Sequence, residues 1–135
     1  PPAVFRALTD EVGRWWNADH SYSGNAANLR IEPRPGGCFC ESMPNGGVQH
    51  MVVTHVMAPT TLVLRGGLGP LGSMGIDGAM EWALRERDGR TRLELTYNVG
   101  GYTKGGFAAL APAVDGVLAE QVARLVSFVE TGRPR

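Results

Sequence analysis

Residues 112–131 constrain the chain more than any other stretch. As a helix they bring Val114, Val117, Leu118, Gln121, Val122, Leu125, Val126 and Val129 to one side, and Asp115, Glu120, Arg124 and Glu130 to others. Pro112 suits a first helical turn, where its missing N–H costs nothing, and Gly132 followed by Pro134 is a stop signal. About twenty residues make a rod about 30 Å long. Each aliphatic side chain buried along it is worth roughly 1.5–3 kcal/mol before entropy is subtracted, so the rod demands an apolar partner of similar length.

The middle of the chain supplies that partner as short strands. Leu29 and Ile31 alternate with Arg30 and Glu32, and Pro33, Pro35, Gly36 and Gly37 end the run. Strands are expected over 38–43, 48–57 and 61–65, with a turn at Pro44-Asn45-Gly46-Gly47 and a stop before Pro59. Asp88-Gly89 is a hairpin signal between 77–86 and 91–99, which places Met80, Trp82 and Leu84 beside Leu93, Leu95 and Tyr97. Two short helices come first: 2–8 carries Val4, Phe5 and Leu8, and a second, capped by Thr9 or Asp10, carries Val12, Trp15 and Trp16. The order helix, helix, antiparallel meander, long helix predicts an α+β fold in one domain over residues 1–135.

A formal charge of zero and a charged fraction of 19% give no basic surface for nucleic acid, and no apolar run reaches the length of a membrane span. Two cysteines, Cys38 and Cys40, are too few for a disulfide framework. Spaced two apart in a strand, they share a face but stand too far apart to be joined, and with no third ligand they do not make a zinc site. No cofactor or metal is expected.

Several motifs, in order, point to a family. They are Pro2-Ala3-Val4-Phe5-Arg6-Ala7-Leu8-Thr9 with Trp15-Trp16, the Gly36-Gly37 turn, the strand leading to Ala58-Pro59, the hairpin from Gly89 to Leu93, and Asp115-Gly116-Val117-Leu118. Together they resemble the SRPBCC or START-like superfamily. Within it they are most similar to bacterial proteins related to the activator of the ninety-kilodalton heat-shock chaperone's ATPase. The resemblance covers nearly the whole chain. It implies a helix-grip fold, with a curved antiparallel sheet wrapped around the long C-terminal helix and a cavity between them. It also implies a seventh, N-terminal strand ahead of the first helix; the chain starts at that helix, so an unpaired edge would favour a homodimer. Nothing resembles a signal peptide, yet the chain begins Pro1-Pro2 without methionine, which leaves both a bacterial cytoplasm and export open.

The candidate chemistry lies around Asn45-Gly46. If Met43 faces Val48, then Glu41 faces His50 and Phe39 faces Val52 on one side of the sheet. A carboxylate–imidazole pair in a cavity could orient a polar group or move a proton; on the outer face it would be an exposed ion pair worth under about 1 kcal/mol. His20 and Tyr22 either rim the cavity or are exposed loop residues. The segment 66–75 is either an apolar lid carrying Leu68, Leu71 and Met74 or a plain connection; no Gly-Lys-Ser/Thr makes it a phosphate loop. Trp82 and Tyr97 are expected in both core and pocket wall.

The expected ligand-binding set is Trp16, Phe39, Glu41, His50, Val52, Leu68, Met74, Met80, Trp82, Tyr97, Leu118 and Val122. The leading expectation is a protein that binds a small apolar or aromatic molecule in that cavity. The alternatives are a cyclase or dehydratase that uses Glu41 and His50 as catalytic groups in the same pocket, and a co-chaperone-type module whose partner is a chaperone. No spacing compels a nucleophilic triad.

Overall fold

The computed structural model describes residues 1–135. Two helices, α1 (Pro2–Thr9) and α2 (Val12–Trp15), lead into six strands: β1 (Leu29–Ile31), β2 (Cys38–Met43), β3 (Gly46–Met57), β4 (Thr61–Arg65), β5 (Ile76–Arg87) and β6 (Arg90–Gly101). The chain then enters α3 (Leu110–Thr131). The strands pair antiparallel in sequence order, so the α+β meander expected from the sequence is the fold observed. Three 3-10 turns, Ala18–His20, Ala26–Asn28 and Gly69–Met74, shape the connections.

The helix α3 starts two residues before Pro112 and ends at Gly132, whose φ of 79° is the left-handed cap that glycine favours. Its buried seam is Leu118, Gln121, Leu125 and Phe128, spaced three and four apart. That seam is narrower than the expected face. Val126 and Val129 are exposed, while Phe128, absent from the expected face, is buried and takes the Arg14 guanidinium over its ring at 5.0 Å.

The second helix is also entered differently. Neither Thr9 nor Asp10 caps it; Glu11 precedes it without a side-chain cap, and the Thr9 hydroxyl instead donates back to the Phe5 carbonyl at 2.9 Å. Helices α1 and α2 are clasped by Trp15, whose Nε1–H donates to the Ala7 carbonyl at 2.8 Å. The Trp15 carbonyl accepts from Arg124 Nε at 2.7 Å, which ties this pair to α3.

The hairpin β5–β6 follows the expected register, with Met80 opposite Tyr97, Trp82 opposite Leu95 and Leu84 opposite Leu93. Asp88 and Gly89 both have positive φ, 53° and 77°, as a two-residue turn between twisted strands requires. The hairpin β2–β3 departs from expectation. Its turn is Pro44-Asn45 alone, so Met43 pairs with Gly46 and Glu41 with Val48. The register then slips between Phe39 and Cys40, leaving His50 as an extra residue on β3. A second slip, between Val53 and His55, leaves Thr54 extra. These bulges bend β3.

The first bulge overturns one expected pocket residue. Beyond it the inward parity of β3 changes from even to odd, so Met51 and Val53 are buried while Val52 pairs with Cys38 on the other face. The two cysteines also differ from expectation. Their Cα atoms are 5.4 Å apart, closer than the roughly 6.6 Å of two extended residues, and their sulfurs meet on one face of β2.

The connection from β4 to β5 holds the 3-10 turn Gly69–Met74 rather than remaining irregular. Gly67 lets it fold back: a Cβ there would meet Gly72 N and Leu71 C at 2.7 Å and collide with the Ile76 carbonyl. Backbone cannot give way as a side-chain end would. The variant Gly67→Ala is therefore expected to lose roughly 1–3 kcal/mol in chemical denaturation, and an unchanged midpoint would show that the segment can adopt another path.

Candidate functional site

A cavity of about 350 Å³ opens between the sheet, α3 and the loops at one end of the molecule. Each wall has a distinct source. Helix α3 contributes Val114, Val117 and Leu118; the 66–75 segment contributes Leu68, Pro70, Leu71 and Met74. The sheet contributes Leu29, Phe39 and His50, and the stretch after α2 contributes Trp16 and residues 19–22. Trp16 turns inward because the chain leaves α2 in an extended conformation there, with ψ 138°. Its Nε1–H donates to the His20 carbonyl at 3.1 Å, which leaves the ring faces to meet Phe39 edge-on at 5.5 Å.

The polar centre is Glu41 and His50. Both are buried, and His50 Nε2 lies 3.0 Å from Glu41 Oε1. They are not opposite each other as the sequence register implied, but a two-residue offset preserves the face, so they meet diagonally. Glu41 also accepts from the backbone N–H of Tyr22 at 3.1 Å and of Ser23 at 2.5 Å. Burial alone would push this carboxyl up. Ser23, through its nearby hydroxyl and its backbone N–H, together with the Tyr22 N–H and His50, outweighs burial and holds the group at about 2.

Glu41 is thus a carboxylate, which can only accept, so His50 Nε2 carries the hydrogen between them. The other ring nitrogen, Nδ1, is buried and has no partner. Phe39 leans on the imidazole at 5.5 Å and Tyr22 lies parallel to it, centroids 5.8 Å apart with planes 2° apart. In neutral imidazole that Nδ1 is an acceptor in an aromatic and aliphatic wall.

The loop that closes the mouth is pinned at both ends. Glu41 holds Tyr22 and Ser23; at the other end Glu120 of α3 accepts from Asn17 Nδ2 at 2.6 Å and meets His20 Nε2 at 3.0 Å. Asn17's amide, with His20 in support and burial opposing, holds Glu120 below the ordinary carboxylate range. The buried Gln121 accepts from Asn17 N at 2.9 Å. On the far side the Tyr97 hydroxyl donates to the Gly66 carbonyl at 2.6 Å and accepts from Leu68 N at 3.0 Å, fixing the 66–75 segment. Burial, reinforced by Asp77, pushes that phenol above its ordinary value.

The twelve residues expected to bind a ligand fall into groups. Trp16, Phe39, His50, Leu68, Met74 and Leu118 line the cavity, with Glu41 behind His50. Met80 and Trp82 are buried in the core instead, 1% and 2% exposed, and line neither large cavity. Tyr97 and Val122 face an adjoining cleft of about 860 Å³ between β6 and α3, which shares Leu71, Leu110, Val114 and Leu118 with the first. Val52 faces outward. Leu29, Pro70 and Ala113 were not anticipated; the alternation of β1 marks Leu29 as inward, whereas nothing local marks Pro70 or Ala113.

No curated protein matches the sequence. The structure of an uncharacterized protein from Rhizobium leguminosarum is similar, with a TM-score of 0.57 at 18% identity over 96% of this chain and 86% of that one; the likeness is one of fold. The family model described as "Activator of Hsp90 ATPase homolog 1-like protein" matches residues 1–130. With a six-stranded curved sheet gripping a C-terminal helix and a match that spans nearly its whole length, the chain belongs to that family of the SRPBCC superfamily.

Proposed function

We propose that the chain binds a small, largely apolar, aromatic-rich molecule in the 350 Å³ cavity, with one polar group turned toward His50 and Glu41. The observation that carries this reading is a buried, unpartnered His50 Nδ1 in a mostly apolar wall. Buried polar atoms are nearly always paired, so an unpaired one on a residue that lines a cavity supports a ligand that completes it. The neutral fluorophore N-phenyl-1-naphthylamine is expected to bind saturably, one per chain. Val117→Trp, which places an indole in the space that Val117 borders, is expected to weaken that binding at least tenfold while the melting temperature stays within a few degrees. A lack of saturable binding by the unaltered protein would sink the proposal.

The carboxylate-held imidazole also favours a second reading, proton transfer on the bound molecule, because the arrangement presents an oriented base. No lysine or arginine lines the cavity to meet developing negative charge, and binding is the reading that the geometry supports best.

A further inference from the structure

We infer that the polar group this pocket selects is a neutral hydroxyl, phenolic or alcoholic, that donates to His50 Nδ1, and that the pocket discriminates against carboxylates and other anions. This rests on the binding function just proposed and names its ligand class.

The argument begins with direction. Glu41 is ionised and accepts at both oxygens, from Tyr22 N, Ser23 N and His50 Nε2. The Nε2 hydrogen is therefore committed to Glu41, and at pH values above the ordinary imidazole range a neutral ring leaves Nδ1, which no protein group satisfies, as a lone pair. A lone pair pairs with a donor. A hydroxyl supplies one without bringing charge, whereas an ether, ester or ketone supplies none.

Charge points the same way. No lysine or arginine lines the cavity; its ionisable lining residues are Asp19, His20, Tyr22 and His50. Of the two histidines, His20 is already engaged by Glu120. A carboxylate entering past Asp19 would lose its hydration, meet the His50 lone pair, and lie one imidazole away from the Glu41 carboxylate. Burying a charge without a counter-charge is among the costliest steps available. An ammonium is also disfavoured, since the Glu41 oxygens are occupied and no other buried carboxylate faces the space. A planar aromatic alcohol satisfies these constraints: its ring has Trp16 and Phe39 to pack against, and its hydroxyl supplies the donor that Nδ1 lacks.

The test uses four matched probes at about pH 8 with the unaltered protein: 2-naphthol, 2-methoxynaphthalene, naphthalene and 2-naphthoate. Binding is read by competition with N-phenyl-1-naphthylamine. One neutral hydrogen bond corresponds to about a tenfold preference, so 2-naphthol is expected to bind about tenfold more tightly than the ether or the hydrocarbon, and 2-naphthoate most weakly. In His50→Leu the Nδ1 acceptor is gone with no polar atom in its place; the naphthol preference should collapse to within about twofold in the fraction that remains folded. Nitrogen-15 spectra should show the unprotonated nitrogen of one histidine shifting with 2-naphthol and not with 2-methoxynaphthalene. Equal affinity for the alcohol and its ether, or tighter binding of 2-naphthoate, would overturn the hydroxyl assignment while leaving the pocket reading intact. Failure of all four to displace bound N-phenyl-1-naphthylamine would likewise overturn the hydroxyl assignment alone, whereas an absence of saturable N-phenyl-1-naphthylamine binding would overturn both.

Discussion

Glu41→Ala is expected to destabilise the fold by about 3–5 kcal/mol at neutral pH, the usual cost of removing one partner from a buried charged hydrogen-bonded set. The change leaves the Tyr22 and Ser23 N–H groups and the buried His50 Nε2 without their acceptor. Equilibrium urea denaturation measures it. A second signature separates this from generic damage. The folded carboxyl titrates at about 2 against an ordinary 4.5. Because the folded value is depressed, the contribution is fully present above about pH 4.5 and is lost as pH falls toward about 2. A depression of that size corresponds to about 3 kcal/mol, in line with the mutational cost.

The advantage of the unaltered protein over Glu41→Gln should therefore shrink steadily between about pH 4.5 and pH 2.5. The surface carboxylates Glu32, Asp77 and Glu120, also held low, are common to both proteins and cancel in the difference. An advantage that is the same at about pH 3 as at pH 7 would mean that the buried carboxylate is not what holds the loop.

Much of this arrangement was legible in the residues, and the reasons differ from place to place. Alternation in 77–86 and 91–99, with Asp88-Gly89 between, specified both register and turn, because a two-residue turn with positive φ at both positions admits one pairing. The tie between Glu41 and His50 survived an incorrect register, since an error of two residues keeps every side chain on its face. Val52 did not survive, because a bulge shifts parity by one and nothing in Gly46-Gly47-Val48-Gln49-His50-Met51 announces where a bulge falls. The partners of Glu41 were also hidden: backbone N–H groups of Tyr22 and Ser23 carry no residue signature, and only the folded loop brings them in. For α3 the apolar periodicity and the end signals located the helix but not its rotation. Clusters of valine look equally apolar on every turn, and it is contact with α1, α2 and the sheet that buries Phe128 and leaves Val126 outside. The division between pocket wall and core at Trp82 and Met80 depends on the distance between helix and sheet, which no local pattern encodes.

Trp15→Ala is expected to be the most damaging core substitution, at about 3–5 kcal/mol. The indole is fully buried, meets Trp16 at 5.7 Å and the edge of Trp82 at 6.4 Å, and donates to the Ala7 carbonyl. It therefore joins three parts that share no hydrogen-bonded ladder: α1, the sheet and, through its carbonyl and Arg124, α3. Removing the ring leaves a void that these parts cannot close without moving α2, and α2 carries the adjacent Trp16 of the cavity wall. The loss should appear twice, as a lower denaturation midpoint and as weaker N-phenyl-1-naphthylamine binding in the fraction that remains folded. Trp15→Phe separates packing from hydrogen bonding: it fills most of the void but leaves the Ala7 carbonyl unpaired, at an expected cost of about 1–3 kcal/mol. A loss below about 1 kcal/mol for Trp15→Ala would mean that the ring does not hold α1 against the sheet, whereas the tie to α3 runs through the Trp15 carbonyl, which alanine keeps.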